Sequence, residues 1–214
     1  MKKNRWMDAL TGFFLSLCIL CGAVVITLNF SPLYRLDMKV YDISAESGYP
    51  EDEVYENYRA LIAYNRIRGG EKLELPTMPV SETASIHFAE VKRIFVAIQL
   101  AFFISLPVCV LLVLLRRRKP GGGWLFITGM ACGVLPLVLG GGVALNWESF
   151  FIGFHELVFD NDYWLFDPAE DPVILILPDG YFMHCAVMIL CIWLAAGIIC
   201  FILWNRRRAL GEVK

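Results

Sequence analysis

Three histidines, His87, His155 and His184, are the side chains of this 214-residue chain whose ordinary pKa permits proton exchange near neutral pH. His155 lies in ESFFIGFHELVF, where the spacing predicts a short helix presenting Phe151, Phe154, His155 and Val158 together. His87 lies in SETASIHFAEVKRIF, where Ser81 is a good N-cap and Glu90, three residues after His87, shares its helix face. Glu82 precedes His87 by a little over one turn, on an adjacent face. If the fold joins the two segments, one imidazole supplies a general base and the other a general acid. Glu90 or Glu82 could then orient one ring, as a carboxylate orients a catalytic histidine in acyl-transfer sites. His184, at the edge of an apolar run, reads as an interfacial or supporting residue.

Other chemistries have weaker signatures. HELVF at 155–159 misses the HExxH zinc pattern because Phe159 stands where the second histidine would be. A metal held by His87, His155 and a carboxylate stays open, but no spacing specifies it. There is no GxSxG nucleophile elbow, and KPGGGW lacks a phosphate-loop pattern. All seven cysteines fall in apolar runs, so neither a disulfide framework nor a Cys/His pair is expected outside them. Two histidines without a protein nucleophile favour direct transfer between two substrate groups.

The elements that must position these residues are set by a membrane. The chain is 57% hydrophobic, too apolar for an ordinary soluble domain. Four windows, near 9–30, 94–115, 124–145 and 182–204, exceed the roughly 18 apolar residues that mark a membrane-crossing helix. The first follows MKKNRW, but its length and the lack of a small-x-small site indicate an uncleaved span. Basic clusters at Lys2, Lys3 and Arg5, at Arg116 to Lys119 and at Arg206 to Arg208 flank the windows. Placing all three in the cytoplasm gives an N-in, C-in topology with outside segments 31–93 and 146–181. The acidic stretch 146–182 agrees: it holds eight Asp or Glu and no Lys or Arg. No Asp, Glu, Lys or Arg lies deep in a span, which disfavours a transporter. No basic low-complexity region exists, so no nucleic-acid partner is expected.

Within the outside segments, residues 31–50 show no clear helix, and SPLYRLDMKVYDIS alternates weakly enough to suggest a short strand. From Glu51, Val54, Tyr55, Tyr58, Leu61 and Ile62 recur at helical spacing, and Gly69-Gly70 reads as the stop. GEKLELPTMPVS reads as a linker with a possible strand, and DNDYWLFDPAEDP as a turn-rich stretch. The expectation is a single all-α membrane domain, 1–214, with a small extracytoplasmic cap of amphipathic helix and short irregular or strand segments.

These residues resemble a bacterial integral membrane family containing the lipoprotein intramolecular transacylases. The likeness rests on Glu82, His87 and Glu90-Val91-Lys92, and on Phe151, Phe154-His155-Glu156-Leu157, Phe159, Trp164, Asp167-Pro168, Asp171 and Leu177-Pro178. The chain departs from the pattern at Glu90, where the family is expected to have Asp before Val-Lys. The resemblance implies migration of an acyl chain from the sn-2 ester of a lipoprotein's diacylglyceryl-cysteine to that cysteine's α-amino group. It implies a cofactor-independent acyltransferase of the bacterial cytoplasmic membrane, its site on the extracytoplasmic side. The substrate would be a diacylated bacterial lipoprotein among membrane lipids, and the enzyme a monomer. His155 and His87 would be catalytic; Glu90, Glu82, Asp167 and Trp164 supporting; Phe151, Phe154 and Val158 against the acyl chain. The alternatives are a non-enzymatic membrane adaptor and a metal-dependent lipid hydrolase.

Overall fold

The computed structural model describes residues 2–117 and 122–211. Arg118, Lys119 and the Pro120-Gly121 part of the basic turn, with the side chains of Lys2 and Lys3, lie outside the described residues. Among the described residues every element is helical: α1 (Lys2–Asn29), α2 (Ser31–Val40), α3 (Ile43–Ser47), α4 (Glu51–Tyr64), α5 (Glu82–Arg117), α6 (Gly123–Leu145), α7 (Trp147–Val158), a 3-10 helix (Pro172–Ile176) and α8 (Asp179–Ala209). Four of them, α1, α5, α6 and α8, are long and apolar enough to cross a membrane, and they contain the four windows read from the sequence, save Phe30. With 36 residues, α5 extends about 54 Å, well beyond a hydrocarbon core of about 30 Å. Its first turns therefore continue past the apolar window and carry His87.

No strand forms among the described residues, which corrects two expectations. SPLYRLDMKV is helical because Pro32 suits the first turn, and because Tyr34, Asp37 and Met38, at i, i+3 and i+4, make one buried stripe. In GEKLELPTMPVS, Leu73 and Met78 are buried, but Pro76 and Pro79 lack the N–H groups a ladder needs, and the segment stays irregular. The helix from Glu51 also ends sooner than Gly69-Gly70 suggested. Asn65 closes it: its side-chain amide donates to the Leu61 carbonyl at 3.0 Å, and Gln99 on α5 donates to the Asn65 carbonyl at 2.8 Å. That second bond holds the departing chain against α5.

The chain forms two compact units. One comprises residues 1–25, 100–142 and 187–214. Here α6 and α8 approach so closely that a Cβ on Gly197 would lie 2.9 Å from the Cys132 carbonyl carbon, so glycine is required. Arg116, 4% exposed, is paired with Asp8 of α1. This member of the second basic cluster is therefore buried in an ion pair.

The other unit comprises residues 26–99 and 143–186. Its core gathers Tyr34, Val54, Tyr58, Phe88, Val173 and Tyr181, with other buried side chains around them. Tyr34 stacks on Tyr58 at 3.7 Å and 5°, and its hydroxyl donates to the Ile176 carbonyl at 2.7 Å. An aromatic pair of this kind contributes about 0.5–1.5 kcal/mol beyond its burial. The phenol thereby fastens α2 to the 3-10 helix, 142 residues away in sequence.

Candidate active site

His87 is turned inward because Ala84, His87 and Phe88 form one buried stripe at the start of α5, 0%, 5% and 5% exposed. Ser81 fixes that start. Its hydroxyl oxygen accepts from the Ala84 N–H at 3.1 Å, as an N-cap does. The same residue donates its N–H and its O–H to the two carboxylate oxygens of Asp171, at 2.8 and 2.7 Å. Asp171 is 2% exposed, so a buried carboxylate, satisfied twice, pins the positive end of the helix that carries His87.

His155 comes from α7. Asn146 caps this helix by accepting from the Ser149 N–H at 3.0 Å. The His155 ring places Nδ1 2.8 Å from the Phe151 carbonyl oxygen, one turn earlier on the same helix. A carbonyl can only accept, so Nδ1 carries the hydrogen and donates it. In the neutral ring Nε2 is left with its lone pair. The tautomer is thus the one a base acting through Nε2 requires.

The two imidazoles meet. Their centroids are 6.0 Å apart and their planes 31° from parallel. Phe151 at 4.2 Å and Trp164 at 4.8 Å lie against the His155 ring, with Phe154 edge-on at 5.5 Å. Phe159 touches both rings, at 4.7 Å from His87 and 5.6 Å from His155. Phe166 is 5.5 Å from His87 and stacks on Phe88. Burial among these rings pushes His155 below the ordinary histidine pKa, opposed in part by the Phe151 carbonyl and the Asp179 carboxylate. The imidazole is neutral at neutral pH, as a base must be. Nδ1 of His87 is buried and has no hydrogen-bond partner within the protein. Such a nitrogen is costly to leave bare.

The carboxylates are placed otherwise than the sequence suggested. Glu90 does not reach an imidazole: its two oxygens accept from Nδ2 of Asn161 at 3.2 and 3.3 Å. Glu82 is exposed in the first turn of α5, where a carboxylate favours the helix dipole. Asp167 is exposed and caps a turn by accepting from the Ala169 N–H at 2.9 Å. Phe154 and Val158 are 46% and 39% exposed on α7, open to an apolar ligand. His184 joins a different pair, its Nδ1 2.8 Å from Oδ1 of Asp37. Phe159, Asn161, Phe166 and Asp171 belong to the surroundings of the site but are not among the site residues the sequence nominates. Asp171 and Phe159 had a signal, since both lie in the motif run; Asn161 had none. No three His, Cys, Asp or Glu among the described residues converge in a way that could hold a metal ion.

Four membrane-length helices and a buried, aromatic-lined pair of imidazoles define a polytopic membrane protein. A family model described as lipoprotein intramolecular transacylase Lit matches residues 9–182, and the chain belongs to that family. The in meso structure of the membrane-integral transacylase Lit from Bacillus cereus is similar at 30% identity, with a TM-score of 0.93, over 99% of this chain and 98% of that one. A variant of the same Bacillus cereus protein with a histidine replaced by arginine matches at 29% identity and a TM-score of 0.85, over 99% and 94% of the two chains. A second variant, with a histidine replaced by alanine, matches at 30% and 0.84, over 96% and 93%. No protein of the curated set matches. The chain is accordingly an acyltransferase integral to the membrane, acting on lipoproteins.

Proposed function

We propose that this enzyme moves an acyl chain from the sn-2 ester of a lipoprotein's diacylglyceryl-cysteine to the α-amino group of the same cysteine, with His155 as base. Burial and the neighbouring His155 push the His87 pKa down to about 4, and His87 acts as a neutral ring that donates an N–H to the ester oxygens. The observation that carries the assignment is the 2.8 Å contact of His155 Nδ1 with the Phe151 carbonyl, which leaves Nε2 free to accept a proton. The α-amino group, with an ordinary pKa of about 7.7–8.0, arrives largely protonated and must lose protons to attack. As the new N–C bond forms, His155 takes a proton from nitrogen. The ester C–O bond then breaks, and the glycerol oxygen departs with a proton delivered through the imidazole pair. The 6.0 Å separation of the two imidazoles supports a role for His87 beside the ester oxygens. The ammonium's first proton goes to solvent before attack and the second passes to the glycerol oxygen. Counted from the free amine, the reaction is an isomerisation in which an amide replaces an ester, so no nucleotide or cofactor is needed. Amine and ester already share one molecule, and the enzyme's task is to hold them in near-attack geometry.

Charge bias supports a site on the extracytoplasmic side, since basic residues cluster at the opposite span ends, as in Arg206 to Arg208. The same bias supports the N-in, C-in topology, and membership of a family acting on lipoproteins supports a bacterial cell membrane. Phe151, Phe154 and Val158 of α7 are the side chains assigned to the acyl chain, and Trp164 supports the His155 ring. Glu82 and Asp167, both exposed, are left with local structural roles.

The test is purified His155→Ala and His87→Ala with a diacylated lipoprotein. Substrate and product are isomers of equal mass, so tandem mass spectrometry must locate the acyl chain on nitrogen. Neither variant is expected to form N-acyl product; normal N-acylation by both would refute the assignment.

A further inference from the structure

The chain between Phe159 and Asp171 crosses the first turns of α5 and is tied to them at two points. At one end Asp171 accepts two hydrogen bonds from Ser81. At the other, Asn161 donates to both oxygens of Glu90. His87 lies between Ser81 and Glu90 on the same helix, so the segment passes alongside it. Between the ties it delivers Trp164 to His155 and Phe166 to His87 and Phe88. The two ties differ in kind. Asp171 is buried and its bonds are short, whereas Glu90 is half-buried and its bonds reach 3.2 and 3.3 Å. Asn161 also accepts from the Tyr163 N–H at 3.1 Å, which turns the backbone so that Trp164 faces the imidazole.

We infer that Asn161, held by Glu90, is a positioning residue of the reaction: it sets Trp164 against the His155 ring and so fixes the direction in which Nε2 points. This rests on the reading of His155 as the base. The His155 ring has one hydrogen bond, at Nδ1, and rotation about that bond is limited by Phe151 at 4.2 Å and Trp164 at 4.8 Å. Phe151 belongs to the same helix and cannot leave. Trp164 belongs to a loop, and the Glu90–Asn161 hydrogen bonds are the tie nearest to it. Loosening that tie costs alignment of the base and leaves the acyl-contacting face of α7 intact. The loss should therefore fall on kcat rather than on KM.

The experiment uses the full-length enzyme with a diacylated lipopeptide. Asn161→Asp places two carboxylates face to face and breaks the tie. Adding Glu90→Gln reverses donor and acceptor, since the new amide at position 90 then donates to the new carboxylate at position 161, and restores it. Asn161→Asp is expected to lower kcat by ~10-fold or more, within the range lost when a catalytic group is misplaced, with little change in KM. The double variant is expected to recover most of that loss. Histidine labelled with nitrogen-15 supplies a second readout: the Nδ1–H signature of His155 should broaden in Asn161→Asp and sharpen again in the double variant. A loss confined to KM, an unchanged kcat, or a double variant no better than the single would overturn the inference. Should Asn161→Asp fail to fold, Glu90→Ala against wild type and the double variant decide on the same criteria. Turnover retained by His155→Ala would instead overturn the reading beneath it, and so the two failures are distinguishable.

Discussion

His87 with His155, and the partly exposed His184 with the buried Asp37, are two pairings in the same compact unit, built on opposite terms. His184 donates toward a carboxylate that is fully buried, with Tyr41 stacked on the ring at 6.0 Å. Among the described residues, no carboxylate is in hydrogen-bond contact with either ring of the other pair. Those rings have instead a backbone carbonyl, a wall of phenylalanines, a tryptophan and one unpartnered nitrogen. A carboxylate partner holds the His184 ring in place by a hydrogen bond, whereas an aromatic surround disfavours the imidazolium of His155 and leaves its Nε2 lone pair free. What marks the imidazoles proposed as catalytic is that they lack the carboxylate which the sequence, through Glu90 and Glu82, offered.

The sharpest way to break this contrast is to remove one ring of each kind. His155→Gln or His87→Gln should lower turnover by about 10²–10⁴, the usual contribution of a general acid or base. His184→Gln should keep most of it, measured as N-acyl lipopeptide formed per minute. Equal losses from all three would erase the distinction.

Stability should show the reverse order. His184→Ala leaves Asp37 buried beside no partner, with Oδ2 already bare, and should destabilise the enzyme by about 1–3 kcal/mol in denaturant unfolding in detergent. Adding Asp37→Asn removes the stranded charge and should recover part of that loss. His155→Gln should cost far less, because it leaves no charge behind.

The pH dependence sharpens the contrast further. The folded pKa of His155 lies below its ordinary value of about 6.5 because burial disfavours the imidazolium. Its contribution to stability is therefore fully present above about 6.5 and is lost as pH falls through the folded value. The substrate amine itself titrates at about 7.7–8.0 and governs the acid limb of kcat, so the ring is followed directly. A nitrogen-15 titration of His155 in the free enzyme should have its midpoint below about 6.5. A midpoint above 6.5 would mean that a carboxylate governs the base after all. The smallest effect is expected of the carboxylates that face water. Glu82→Gln and Asp167→Asn should change unfolding free energy by no more than about 0.5 kcal/mol and leave turnover intact.

Much of this was legible because the signals are local. Four apolar runs are read by length alone, Ser81 is a cap by residue type, and α4 and α7 declare themselves by period. The two histidines could be nominated because so few side chains titrate near neutrality. What escaped depends on distant partners. Asn161 and Glu90 are 71 residues apart, and a glutamate one turn from a histidine looks like its orienting group until the asparagine is seen. Asp37 looked like one more polar residue in a weak alternation, although His184 lies 147 residues away to receive it. The same alternation concealed α2, because a buried aspartate breaks the apolar face by which a helix is ordinarily read.

The carbonyl that sets the proton on His155 belongs to α7 itself, one turn back along a helix of 12 residues. Which nitrogen of that ring is nucleophilic is thus decided by the local peptide and not by any neighbour that sequence drift could remove. A reagent that alkylates imidazoles should mark this residue at a single nitrogen, and a graft of the helix onto another membrane scaffold would carry its regiochemistry along.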